Sequence, residues 1–153
     1  MSILKKIMGV KSYLYRNLIA PRWYSWRNRE ILNNNRMLKG KYAGKRCFII
    51  AGGPSTKEID LGMLSDEYTF VMNDFDKNPQ FNKLRSDFYV ISDSLFFKED
   101  ESEYWPEELK KKSKNLQENV TMFLNIEAKS FVENYNLFAN HPLHYIGMQG
   151  IFT

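Results

Sequence analysis

Residues 46–55 read RCFIIAGGPS, a continuous apolar run that passes directly into a glycine turn. The run, Arg46 to Ala51, is typical of a strand buried on both faces of a parallel sheet. The turn consists of Gly52, Gly53, Pro54 and Ser55, and the segment after it, Thr56 to Leu64, is compatible with a helix. Strand, glycine turn and helix together predict the opening of an α/β domain.

The glycine turn is compatible with a phosphate or nucleotide bound against the backbone. Glycine has no Cβ to block such a ligand, and free N–H groups at the start of a helix attract anions. Ser55 could cap the helix or donate its hydroxyl to the ligand. The turn is not a P-loop, because no Gly-Lys-Ser/Thr follows, and it lacks the third glycine of a dinucleotide fingerprint. Since similar turns also occur in proteins that bind nothing there, both interpretations stay open.

Three further apolar runs predict more strands of the same sheet. They are Tyr68 to Met72, Asp87 to Ser92 and Val120 to Leu124. Each run ends in small or polar residues, as expected where parallel strands reach a ligand crevice at their carboxyl ends. We therefore predict a Rossmann-like parallel sheet in residues 46–153, incomplete in this chain.

The polar residues at the strand ends are the predicted neighbours of the glycine turn. Asn73 follows the second run, Asp93 and Ser94 follow the third, and Asn125 follows the fourth. Because carboxyl ends of parallel strands meet at one edge of a sheet, we expect Asn73, Asp93 and Ser94 to line one nucleotide site with Gly52, Gly53, Pro54 and Ser55.

The first part of the chain has a different character. Residues 1–46 carry twelve Lys or Arg against one acid, a net charge of +11, whereas the remainder sums to −7. Aromatic and aliphatic residues are interleaved with these cations, so residues 1–45 are predicted to form a basic, amphipathic helical segment, with residues 22–38 helical. Such a segment can lie on an anionic membrane surface, pack on a partner or pack on the fold itself. No nucleic-acid module is recognisable, and nucleic acid is not an expected partner.

The expected compartment is the cytoplasm, with possible contact to the inner membrane surface through residues 1–45. Cys47 is the only cysteine, so no intramolecular disulfide can form, and its apolar neighbours predict a buried, inert thiol. No apolar stretch approaches the roughly 18 to 20 residues that cross a bilayer.

Several polar residues are predicted to have structural roles rather than catalytic or metal-binding ones. Asp74 and Asp76 are interpreted as turn residues whose carboxylates bind local backbone, and no metal is expected. His141 and His144 flank Pro142 and have no recognisable acidic or cysteine partner, which favours a loop or structural role. Residues 98–119 are strongly charged and are predicted to form a solvated loop and helix.

The segment Phe48 to Phe75, FIIAGGPSTKEIDLGMLSDEYTFVMNDF, resembles the opening of bacterial family 42 sialyltransferases and of MptE-like proteins. Those families begin with a strand, G-N-G-P-S, K-E-I-D, a second strand and an Asn. Ser92 to Phe97 (SDSLFF) is similar to their N-P-S-L-F-F segment. The resemblance implies that Gly53, Pro54 and Ser55 cradle the nucleotide of a donor, with Asn73 and Ser94 in the same pocket. Gly52 stands where the families usually have Asn, so one side-chain hydrogen bond to the nucleotide is lost.

The resemblance also implies a function. A complete relative would transfer a nine-carbon acidic sugar from a CMP donor to a surface glycan, without a metal cofactor. His144 to Thr153 is similar to the approach to a helix that opens the second half of such a fold, and the general base lies beyond it. We therefore expect this chain to be the N-terminal half of such an enzyme, inactive alone.

Two alternatives are kept open. The MptE-like branch implies pyrophosphoryl transfer from ATP to a pterin. A non-catalytic nucleotide-binding remnant is the alternative that is not an enzyme. Unpaired strands at an open edge would also favour a homo-oligomer.

Overall fold

The computed structural model describes residues 11, 13–97 and 104–147 of the chain, and these contain a five-stranded sheet. The strands are β1 Cys47–Ile50, β2 Tyr68–Met72, β3 Phe88–Ile91, β4 Thr121–Asn125 and β5 Leu143–Ile146. They are ordered β1-β2-β3-β4-β5, and every neighbouring pair is parallel. The predicted α/β class with a Rossmann-like parallel sheet is confirmed.

One face of the sheet, which we call the core face, carries the hydrophobic core. Parallel strands in sequential order, joined by crossovers of the usual right hand, would carry their connections on one face, and the core collects there. Leu109 of helix α3 (Tyr104–Asn115) and Phe131 of helix α4 (Lys129–Asn134) join the core cluster. The strand residues in this cluster are Ile50, Val71, Tyr89, Ile91, Met122 and Leu124, which face one another across neighbouring strands.

The opposite face, which we call the second face, is lined by aromatic side chains. Phe88 lies 5.6 Å from Phe70 and 6.1 Å from Phe123 between ring centroids. The Phe123 ring stacks on His144 of β5 at 5.6 Å. Tyr42 packs edge-on against Phe88 at 5.1 Å, so the chain before β1 covers part of this face.

The N-terminal segment runs across the second face and caps the β5 edge. It contains α1 Ala20–Arg27, α2 Arg29–Asn33 and a 3-10 turn, Asn34–Leu38. The side-chain amide of Asn35 donates to the Tyr145 carbonyl at 2.8 Å, and that of Asn34 donates to the Leu143 carbonyl at 3.4 Å. These donors satisfy outward carbonyls of an edge strand. Residues 22–38 are helical, as predicted.

The expectation that β1 is buried on both faces is wrong. Of its four residues only Ile50 is buried, and Ile49 is 73% exposed. β1 is an edge strand that pairs only with β2 within the described residues, and apolar composition does not reveal a strand's place in the sheet. For the same reason Cys47 is exposed, not buried.

Another expectation also fails. The predicted helix Thr56 to Leu64 is instead a pair of 3-10 turns, Pro54–Lys57 and Leu61–Leu64, divided by Asp60, whose carboxylate accepts from the Gly62 N–H. In the segment His144 to Thr153, predicted to approach a helix, the first three residues belong to strand β5, and residues 148–153 lie outside the described part. No helix among the described residues has the length and apolar character needed to cross a membrane.

Candidate functional site

The candidate site lies at the carboxyl ends of β1, β2 and β3. These three strands are neighbours and parallel, so their ends lie along one edge of the sheet. The structure places the glycine turn after β1, Asn73 after β2, and Asp93 with Ser94 after β3. The five strands in sequential order contain no topological switch point, so the strand order itself creates no crevice among them.

Nothing in the surrounding structure requires glycine at positions 52 and 53. Gly53 has φ −65° and ψ 153°, a conformation open to any residue, and Gly52 also avoids positive φ. A Cβ built on Gly52 would meet no atom within 4 Å, and one on Gly53 would meet only the Ser55 Oγ, at 3.9 Å. The space beside both backbones is open, which is the arrangement a closely bound ligand would use.

The turn after β1 is fastened to the loop after β2. The Thr56 hydroxyl donates to the Gly53 carbonyl at 2.6 Å and accepts from the Asn78 amide at 3.1 Å. Thr56, rather than Ser55, therefore makes the hydroxyl contact that shapes this turn. Ser55 is exposed, and its hydroxyl is available to solvent or ligand.

Asn73 has a fixed backbone and an unsatisfied side-chain oxygen. Its φ is 53°, its N–H donates to the Val90 carbonyl at 2.8 Å, and its carbonyl accepts from Lys112 Nζ at 3.0 Å. Its Oδ1 is buried and has no hydrogen-bond partner among the described residues. A buried acceptor without a donor costs about 1–3 kcal/mol, and a ligand that donates to it would remove that cost.

The ends of β3 and β4 are held together by short polar contacts. Asp93 Oδ1 accepts from the Leu95 N–H at 2.9 Å, which starts the 3-10 turn Ser94–Phe97. The Asn125 amide donates to the Ser92 carbonyl at 3.1 Å. Asp93 and Ser94 are both exposed, so they present oxygen atoms at the same edge as the glycine turn.

A buried ion cluster lies directly beside this edge, on the core face. Lys112 Nζ contacts Asp76 Oδ1, lies 3.5 Å from Asp74 Oδ1 and lies 3.3 Å from the Tyr89 hydroxyl. The side chains of Lys112 and Asp76 are 5% and 10% exposed. Burial raises the pKa of the Tyr89 hydroxyl far above its usual range, and the Asp76 carboxylate raises it further.

This cluster changes the interpretation of the two aspartates. They lie in a turn, around the 3-10 residues Phe75–Lys77, but they bind lysines rather than local backbone. An ammonium group thus occupies the space between the carboxylates. Among the described residues, no group of three or more His, Cys, Asp or Glu could hold a metal ion.

Sequence reasoning missed Lys112, because it stands in a run of three lysines that looks fully solvated. The signal that could have identified it is helical spacing. Leu109, Lys112 and Leu116 recur at three and four residues, and all three are buried. The neighbouring cleft of about 200 Å³ is lined by α3, the turn containing Asp74 and Asp76, and Phe96.

Neither histidine lies at the candidate site. His141 precedes β5, the strand at the other side of the sheet from β1. His144 is buried in β5, and its Nδ1 lies 3.1 Å from Asn35 Oδ1. Desolvation by burial lowers the pKa of His144, and the charge of Lys41 lowers it further. A neutral ring stacked on Phe123 has a structural role.

Comparisons of the chain with protein-family models, with curated proteins and with solved structures found no match.

Proposed function

We propose that this chain binds a nucleotide at the carboxyl ends of β1, β2 and β3, as the donor-binding part of a glycosyltransferase. The observation that carries the proposal is the open space beside Gly52 and Gly53, at the end of a parallel strand. Neither packing nor backbone conformation explains two consecutive glycines there, and a ligand that approaches the backbone is the physical reason that we propose for them.

The residues at this edge suit the parts of a nucleotide. The unsatisfied Asn73 Oδ1 is buried, so the side chain would have to rotate for it to accept from an exocyclic amine of the base or from a ribose hydroxyl. The exposed hydroxyls of Ser55 and Ser94 and the backbone N–H groups of the glycines would donate to phosphate oxygens. Because the turn after β1 leads into a 3-10 turn, no long helix contributes its dipole, and affinity would rest on these direct contacts.

The donor that we propose is a CMP-activated, nine-carbon acidic sugar, and the acceptor a cell-surface glycan. This identification rests on the resemblance of residues 46–97 to the sialyltransferase and MptE-like families. A general base elsewhere would have to deprotonate the acceptor hydroxyl, since neither histidine lies at this edge. Cytoplasmic location is part of the proposal, because the exposed Cys47 thiol suits a reducing compartment.

The test is calorimetric titration of the full chain with CMP, comparing wild type with Asn73→Gly. Glycine keeps the positive φ of this position and removes the side-chain oxygen. We expect CMP affinity to fall about tenfold, the effect of one hydrogen bond to a buried acceptor. Asn119→Gly is the matched control, because Asn119 also has positive φ (66°) but lies in the turn before β4. Equal CMP affinity in wild type and Asn73→Gly would contradict the proposal.

A parallel titration with ATP and magnesium distinguishes the proposed sugar transfer from the alternative, pyrophosphoryl transfer to a pterin. That chemistry commonly holds magnesium through carboxylates and phosphates, and here Asp76 is already paired with Lys112. We therefore expect CMP to bind more tightly than magnesium-ATP. The reverse order would favour the pterin alternative, and CMP binding without sugar transfer in any complete relative would favour a non-catalytic module.

A further inference from the structure

The helical segment before the sheet exposes large apolar side chains on the side facing away from the molecule. Leu14 is 43% exposed, Leu18 46%, Trp23 54% and Trp26 66%. The half-buried residues of the same segment include Tyr24, Asn28 and Leu32, which recur every four residues. Contiguous exposed apolar surface of this kind marks a site of interaction.

The exposed apolar residues continue through a π-helical turn, Tyr15–Ile19, in which the Ala20 N–H donates to the Tyr15 carbonyl. Tyr13, Tyr15 and Ile19 are exposed there as well. We call Leu14, Leu18, Trp23 and Trp26 together the apolar stripe.

The surroundings of the apolar stripe are strongly basic. Arg22, Arg27 and Arg29 are exposed, and the Arg27 guanidinium lies 5.3 Å from the centroid of the Trp23 ring. Residues 1–46 contain one acid, Glu30, against twelve Lys or Arg. Exposed Trp flanked by Arg, on a convex helix surface, matches the headgroup region of an anionic bilayer.

Two contacts fix the course of the segment after the apolar stripe. The Tyr24 ring approaches Gly147 so closely that a Cβ there would lie 2.8 Å from it, and Gly147 immediately follows β5. Further along the chain, Tyr42 packs against Tyr68, the first residue of β2. From Tyr24 to Tyr42 the segment thus runs from the carboxyl end of β5 to the amino end of β2.

We infer that the apolar stripe and its flanking arginines dock this protein on an anionic membrane surface. Docking follows from the exposed side chains and charge alone. The benefit of docking rests in addition on the proposed function, because an acceptor attached to a lipid would lie at the same membrane surface.

The test is flotation of the full-length chain with vesicles, either zwitterionic or containing about one third anionic lipid. The wild type floats with the anionic vesicles, and Trp23→Ser/Trp26→Ser lowers its partition coefficient at least about tenfold. Met63→Ser/Leu95→Ser, at two apolar residues that are 75% and 50% exposed elsewhere, leaves flotation unchanged. Circular dichroism and CMP titration of each variant check the fold and the nucleotide site separately.

Two triple variants test the contribution of the arginine charges to membrane binding. Arg22→Gln/Arg27→Gln/Arg29→Gln weakens partition about fivefold per arginine, whereas Lys110→Gln/Lys111→Gln/Lys114→Gln on α3 has little effect. The inference is overturned if the wild type shows no preference for anionic vesicles or if the tryptophan variant floats like wild type. It is also overturned if sedimentation shows that Trp23 and Trp26 instead join two copies that ignore vesicles.

Discussion

At the scale of single residues, the ammonium group of Lys112 is buried and surrounded by oxygen acceptors. Its ammonium group contacts Asp76, the Tyr89 hydroxyl and the Asn73 carbonyl. The network joins α3 to the loop after β2, and so it fixes the backbone of Asn73 at the candidate site. Stability and the geometry of the site are therefore coupled through one side chain.

We predict that Lys112→Met lowers the free energy of unfolding by about 3–5 kcal/mol, because Asp76 is left as an uncompensated buried charge. Urea denaturation measures this value. Lys111→Met is the control, since the Lys111 side chain is 68% exposed and solvent screens its ion pair with Glu108. The prediction is wrong if the two variants lose similar stability.

His144 predicts a pH dependence of stability. Burial and Lys41 lower its pKa in the folded protein, so the unfolded chain takes up the proton first as the pH falls through about 6.5. The stability contributed by the neutral ring is present above that pH and is lost progressively below it. Urea titrations between about pH 7.5 and pH 5.5 should show a steeper loss for wild type than for His144→Gln. An equal pH slope in wild type and His144→Gln would contradict the assignment.

At the scale of elements, the two outermost strands of the sheet, β1 and β5, differ in how their free sides are covered. Asn34 and Asn35 cap the β5 edge with amide donors, whereas β1 presents Ile49 at 73% exposure and pairs on one side only within the described residues. An exposed apolar edge strand is a template for pairing with another chain. Self-association through β1 is the expected consequence.

We predict that Ile49→Lys weakens self-association at least about tenfold, because an edge lysine would have to be desolvated on pairing. Sedimentation velocity across a concentration series measures it. Met63→Lys is the control, since Met63 is 75% exposed but lies in a 3-10 turn away from the edge. A wild type that stays monomeric at about 100 µM, or equal effects of both substitutions, would rule out this role for β1.

The strands β2, β3 and β4 could be predicted because each is a run of apolar residues that the sheet buries, and their polar ends follow from parallel topology. The exposure of β1 could not be predicted, because strand order depends on contacts between residues that are distant in the sequence. Leu61 and Leu64 are three residues apart, as on one face of a helix, yet Asp60 binds the Gly62 N–H and divides the segment into two turns. β5 was missed because its four residues, LHYI, lie between Pro142 and Gly147 and read as a loop.

The position of the candidate residues at the strand ends was predictable to the same extent. The glycine turn, Asn73, Asp93 and Ser94 stand after apolar runs, and parallel strands bring such ends to one edge. The contacts that hold the site in place were not predictable. Asn78 reaches the turn after β1 across 22 residues and Lys112 reaches Asn73 across 39, and no local pattern encodes such separations.

At the scale of the whole molecule, the sheet has one fully packed face and one face that the N-terminal segment partly covers. That segment leaves a cleft of about 270 Å³ on the second face, lined by Tyr42, Tyr68 and Phe70 among others. The cleft is apolar and lies toward the amino ends of the strands, so it is chemically and spatially distinct from the polar carboxyl edge. The described residues thus offer two possible binding sites for a nucleotide. The proposed function requires binding at the polar carboxyl ends of the strands.

The most direct test is a titration of isotope-labelled, full-length protein with CMP, followed by amide chemical shifts in NMR spectra. The account predicts that the largest changes occur at Gly52, Gly53, Ser55, Asn73 and Ser94, with the side-chain amide of Asn73 among them. Changes centred on Tyr42 and Phe70, or no changes up to millimolar CMP, would contradict a nucleotide site at the carboxyl ends of β1, β2 and β3.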